Sequence, residues 1–123
     1  MNKDKIIEEL EELPDKIKTI ENSIYNYFKQ VELNEIGLVE IDNLFLSQVS
    51  AETDSEGKKK YTNDISRRAE QNVRLSRDQQ YREIKSNLEH NKSEMKKQER
   101  EYNYLKNRFT ALKYIIKLLT MSS

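Results

Sequence analysis

The chain is 123 residues long, 35% hydrophobic and 36% charged, with two Gly, one Pro, no Trp and no Cys. That balance argues against a thick layered core and against turn-rich sandwiches, barrels and Rossmann-like sheets, and leaves one domain's worth of long helices with narrow apolar stripes. The 22 basic and 22 acidic residues cancel overall, but residues 1–56 hold five Lys/Arg against fourteen Asp/Glu (net −9), and residues 57–123 hold seventeen against eight (net +9).

From about Asn2 to Val31, Leu10, Leu13, Ile17, Ile20, Ile24, Tyr27 and Val31 recur in alternating steps of three and four. This spacing predicts a helix with a narrow packing seam. Pro14 falls inside the pattern, so it either kinks this helix or opens it after a separate acidic lead-in, Glu8 to Glu12. Between Leu33 and Val49, the residues Ile36, Leu38, Val39, Ile41, Leu44, Phe45 and Val49 run almost continuously. A second helix is the favoured reading, although a short buried strand gives a similar run. This most apolar stretch is expected to hold the deepest burial and to form an N-terminal helical hairpin with the first helix.

Ser50 to Lys60 has no periodicity and reads as a mobile linker. The chain thus divides into an acidic helical region (1–50), a linker (51–61) and a basic helical region (62–123). Thr62 or Asn63 can cap a third helix, on which Ile65, Ala69 and Val73 recur at i+4 on one face. From Tyr81 one heptad register holds to the end. Its a positions are Tyr81, Leu88, Met95, Tyr102, Phe109 and Ile116, and its d positions are Ile84, Asn91, Gln98, Leu105, Leu112 and Leu119. The register fails upstream, where Arg74 and Arg77 fall, so a break is expected near Leu75-Ser76, with Ser76 and Gln79 as a capping box. Asn91 and Gln98 are polar d residues of the kind that specify register and partner number.

Little in the sequence points to catalysis. His90, the only histidine, lies in a charged run with no local orienter and reads as a solvated surface residue. Glu8, Glu9, Glu11 and Glu12 lack the spacing of a metal site and read as a solvated face. Gly37 and Gly57 stand alone, so no phosphate-binding loop is present. The expectation is a protein that is not an enzyme and needs no cofactor or metal. With no cysteine, no stretch approaching the ~20 apolar residues of a membrane span, and an acidic start unlike a signal peptide, a cytoplasmic location without a membrane partner is expected.

The basic half carries the functional expectation. Lys58, Lys59, Lys60, Arg67, Arg68, Arg74, Arg77, Arg82 and Lys85 crowd into 28 residues, together with Tyr61 and Tyr81. Cations that follow a backbone, interleaved with aromatic platforms, suit single-stranded nucleic acid. Tyr81 occupies an a position, so stacking falls to Tyr61. Equally, these cations could solvate a helix and neutralise the acidic half of the same or a neighbouring chain. A second basic stretch, Lys106, Arg108, Lys113 and Lys117, suits a helix C-terminus by itself.

The run Lys59-Lys60-Tyr61-Thr62-Asn63, then Arg67-Arg68-Ala69-Glu70, then Leu75-Ser76-Arg77-Asp78 with Tyr81, followed by a long helix through Leu105 to Leu119, resembles phage recombination mediators of the UvsY-like family over about residues 58–119. The resemblance implies a helical protein forming ring-like oligomers, which binds single-stranded DNA and helps load a recombinase in place of a single-strand binding protein.

The resulting expectation is an all-α bundle or coiled coil that assembles with itself through Leu88, Met95, Tyr102, Leu105, Phe109, Leu112 and Ile116. Its basic segment would bind single-stranded DNA, and its acidic helix would contact the recombinase or single-strand binding protein. The alternative is an oligomeric interaction module, a scaffold or an inhibitor of a host enzyme, with no role for nucleic acid.

Overall fold

The computed structural model describes residues 2–122. It contains three helices: α1 (Lys3–Ala51), α2 (Asp64–Arg77) and α3 (Gln79–Met121). Among the described residues there is no strand, only an isolated antiparallel bridge between Thr53 and Lys59. The chain is all-α, as its composition predicts.

The two helices expected before residue 50 are one. Asn2 starts α1, its Oδ1 accepting from the backbone N–H of Asp4 at 2.9 Å. The helix then runs through both Pro14 and Gly37. A proline inside a helix costs about 3 kcal/mol. That cost is offset by packing: Leu13 is 2% exposed, and Ile17, one turn on, packs against the same cluster. The three-four spacing also continues past Val31, through Asn34, Leu38, Ile41 and Phe45, all at least half-buried. One seam therefore runs along α1, and Leu33, Ile36, Val39 and Leu44, which lie off it, are more than half exposed. The expected deep burial of this stretch is realised fully only at Val49, which is 0% exposed. A near-continuous apolar run supplies more apolar side chains than a single helix–helix seam can cover.

Two compact units can be distinguished, and both α1 and α3 contribute to each. The first combines the chain up to Lys29 with the chain from Lys92 onward. Ile6 and Leu13 of α1 are buried with Leu105 and Leu112 of α3, and Leu10, Ile17, Ile20, Phe109, Ile115, Ile116 and Leu119 pack around them. The antiparallel pairing is bordered by Arg108, which grips Glu9 with Nε to Oε1 at 2.5 Å and a second bond at 2.9 Å, and by the Tyr102 hydroxyl, which donates to Glu21 at 3.1 Å. Every a and d position of the α3 register from Tyr81 onward is buried or half-buried. Of the side chains expected to join subunits, Leu105, Phe109, Leu112 and Ile116 pack on α1 of the same chain.

The second unit is Gln30–Asn91. Here α1 and α3 are again antiparallel: Asn91 Nδ2 donates to Asn34 Oδ1 at 2.9 Å, and Gly37 faces Ile84, whose Cδ1 lies 3.4 Å from where a Cβ would sit. The polar d residue therefore fixes register within the chain. The face of α2 that packs is the polar one. Gln71 is 1% exposed and Leu75 6%, while Ile65 is 85% exposed and Val73 40%. The Ile65, Ala69, Val73 face read from the sequence thus points outward. Burying Gln71 requires partners, and it has them: Nε2 donates to both the carbonyl and the Oδ1 of Asp42, each at 2.8 Å, and Oε1 accepts from Arg68 at 3.3 Å.

Candidate nucleic-acid interface

The candidate residues lie in the second unit, on the segment after α1, on α2 and on the first turns of α3. The stretch 52–60, expected as a linker, is a hydrogen-bonded hairpin. The Asp54 N–H donates to the Lys58 carbonyl at 2.7 Å, Gly57 N–H to the Asp54 carbonyl at 3.1 Å, and Lys60 N–H to the Glu52 carbonyl at 2.9 Å. The Asp54 carboxylate accepts from the N–H groups of Glu56 and Lys58 at 2.9 and 3.0 Å. Gly57 has φ +80°, the left-handed conformation that closes a three-residue hairpin loop and that glycine adopts without steric cost. The hairpin carries Lys58 at the close of its loop, Lys59 in its arm opposite Thr53 and Lys60 at its base.

Asn63 begins α2 with a reciprocal cap. Its Oδ1 accepts from Ser66 N–H at 2.8 Å, and its own N–H donates to Ser66 Oγ at 3.4 Å. The break before α3 falls at Asp78, three residues beyond Leu75. There the Asp78 carboxylate, not Ser76, accepts from the Tyr81 N–H at 2.8 Å and caps α3. Ser76 instead donates back to the Val73 carbonyl.

The ten predicted site residues separate into two groups. Three cations are engaged by acids of their own unit. Arg74 is bound by Glu52 and, through Nε at 3.0 Å, by Glu70. Lys60 reaches Glu52 at 3.5 Å and lies over the Tyr61 ring at 5.7 Å. Arg67 pairs with Asp64 at 2.5 Å and donates to the Tyr61 carbonyl. The Arg74 hydrogen bond holds the Glu52 carboxyl below its ordinary range, and the Glu52 and Glu70 bonds in turn push the Arg74 guanidinium up. Arg67 likewise depresses Asp64. Tyr61 is half-buried, with Lys60 beside its ring, so its platform is partly covered.

The other cations keep their charge available. Lys58 meets Glu56 only at 3.9 Å, with both side chains at least three-quarters exposed, a pairing worth roughly nothing. Arg68 bonds only the neutral Gln71. Lys59, Arg77, Arg82 and Lys85 have no ion-pair partner within 4 Å among the described residues. Two groups result: the returning arm of the hairpin, with Lys58 and Lys59, and the α2–α3 junction, with Arg77, Arg82 and Lys85. Arg82 and Lys85 stand three residues apart and share a face of α3.

Gln71, Asp42, Glu52 and Glu70 shape this site, and the sequence did not single them out. The Glu70–Arg74 spacing of four was a readable signal. Glu52 and Asp42 act across the fold and left no local trace. His90 is exposed, and no group of three or more metal-ligating side chains occurs among the described residues. No helix is long and apolar enough to cross a membrane. The chain matches no protein-family model, and neither the curated proteins nor the solved structures yield a similar chain.

Proposed function

We propose that this chain is a non-enzymatic accessory factor that binds single-stranded DNA through Lys58, Lys59, Arg68, Arg77, Arg82 and Lys85, and that it serves recombination by helping to load a recombinase. The observation that carries the reading is the set of six exposed cations left without a close acidic partner after Glu52, Glu70 and Asp64 have engaged Arg74, Lys60 and Arg67, Lys58 meeting only the exposed Glu56 at 3.9 Å and Arg68 only the neutral Gln71. Cations without a close acidic partner release counterions when they meet phosphate, and so supply sequence-independent affinity. Tyr61, half-buried beside Lys60, is the one aromatic ring among these cations outside the α3 seam and so the candidate for stacking. Assembly of several copies would turn weak contacts into avidity.

Binding of a short labelled oligothymidylate across a salt series tests this. Each phosphate neutralised on a single strand contributes about 0.7 to the slope of log K against log salt, so full engagement of the six cations gives a slope near −4. Lys58→Ala with Lys59→Ala should reduce the steepness by about 1.4, whereas Lys60→Ala should change it little. Absence of binding at low salt would exclude the proposal. The second reading, an interaction module indifferent to nucleic acid, is favoured by the exposed apolar side chains of α1 and α2, and it predicts that absence.

A further inference from the structure

Within the second unit, α1 and α2 each present an apolar row to solvent, and the two rows have opposite charge. On α1, Ile36, Glu40 and Leu44 lie at successive i+4 steps, with Ile36 and Leu44 more than half exposed and Leu33 and Val39 beside them. Residues 30–51 contain no Lys or Arg, and Glu32 and Glu40 are exposed among these apolar side chains. On α2, Ile65, Ala69 and Val73 repeat the same i+4 steps outward, and the exposed Arg68 and Arg77 border them. At 1.5 Å per residue, Ile36 to Leu44 and Ile65 to Val73 both span about 12 Å, and Glu32 to Glu40 spans about 12 Å against about 13.5 Å for Arg68 to Arg77. The small Ala69 at the middle of one row leaves room for the Glu40 stem at the middle of the other.

We infer that these rows are the two halves of a self-association interface, in which α1 of one copy docks on α2 of a second copy. The occupant is a second copy because the two surfaces are complementary in length, apolarity and charge, and neither is complementary to itself. A two-fold axis uses both contacts at once: the acidic α1 row of each copy meets the basic α2 row of the other. In that dimer Arg68 and Arg77 are engaged by the partner copy, so Lys58, Lys59, Arg82 and Lys85 are the cations left for phosphate, and the salt slope of the dimer is about −3 per chain rather than the value for six free cations. The a and d seam of α3 packs against α1 within the chain, so this assembly is built on a surface distinct from that seam.

Sedimentation equilibrium in the absence of nucleic acid tests the inference independently of DNA binding. The wild-type chain should form dimers that weaken with salt. Glu32→Arg with Glu40→Arg makes both rows basic, and Arg68→Glu with Arg77→Glu makes both acidic. Each variant alone should raise the dimer dissociation constant at least about tenfold, and an equimolar mixture of the two should restore a dimer. Ile65→Asp, at a side chain 85% exposed, should abolish association while leaving helicity unchanged. A monomeric wild-type chain, a dimer unmoved by both charge reversals, or variants that fail to associate when mixed although each keeps the wild-type circular dichroism spectrum would each overturn it.

Discussion

Replacing Gln71 tests whether α2 is held by a buried polar contact rather than by an apolar face. Its Nε2 donates at 2.8 Å to the carbonyl of Asp42 and at 2.8 Å to the Asp42 carboxylate, and the residue is 1% exposed. A bond to a charged acceptor contributes about 1.5–3 kcal/mol and one to a carbonyl about 0.5–1.5, so Gln71→Ala should cost about 2–4 kcal/mol. With an m-value near 2 kcal/mol/M, the urea midpoint followed at 222 nm should fall by about 1–2 M. Gln71→Glu keeps the shape but sets a second carboxylate against Asp42. It should be at least as damaging at neutral pH and should recover as acid protonates one member of the pair. A midpoint within about 0.25 M of wild type for Gln71→Ala, or a Gln71→Glu deficit that does not change with pH, would refute the reasoning.

Two further predictions concern the hairpin and its salt-bridge anchor. Glu52 has an ordinary value of 4.5 and is depressed in the fold, chiefly by the Arg74 hydrogen bond. The stability it contributes is therefore present above pH 4.5 and is lost as pH falls through the lower folded value. Amide protection factors in α2, taken relative to the intrinsic exchange rate at each pH, should fall over that acid range, and Glu52→Gln should remove this part of the pH dependence. Gly57→Ala should cost about 1–2 kcal/mol through its left-handed backbone alone, since nothing lies within 4 Å of a Cβ there. Thermal denaturation checks the loss, and Gly57→Asn should recover part of it.

The α1 and α3 seams were legible because their periodicity is local to each helix. Steps of three and four from Leu10 to Val31, and the heptads from Tyr81 to Leu119, correspond to the residues the fold buries or half-buries. The continuity of α1 was less legible, because Pro14 and Gly37 are local signals for a break and the packing that overrides them comes from α3. The orientation of α2 was hidden for a similar reason. Its apolar positions pointed to the wrong face, since Gln71 and Arg74 are held by Asp42 and Glu52, which lie 29 and 22 residues away in the chain. Likewise, the basic run from Lys58 to Lys85 was plain in the sequence, but which of its charges remain available depends on where those acids fall.

The Asn34–Asn91 bond has a consequence for how the chain finds its alignment. A heptad seam of similar apolar residues tolerates a slip of seven positions. One such slip would set Asn91 against Ile41, and the opposite slip would set Asn34 against Ile84. Either leaves a half-buried amide without its partner, at about 1–3 kcal/mol. That difference makes a misaligned pairing five- to a hundredfold rarer or more, by about tenfold per 1.4 kcal/mol. The amide pair thus proofreads the alignment of α1 and α3 in the second unit, as the Arg108–Glu9 and Tyr102–Glu21 contacts do in the first.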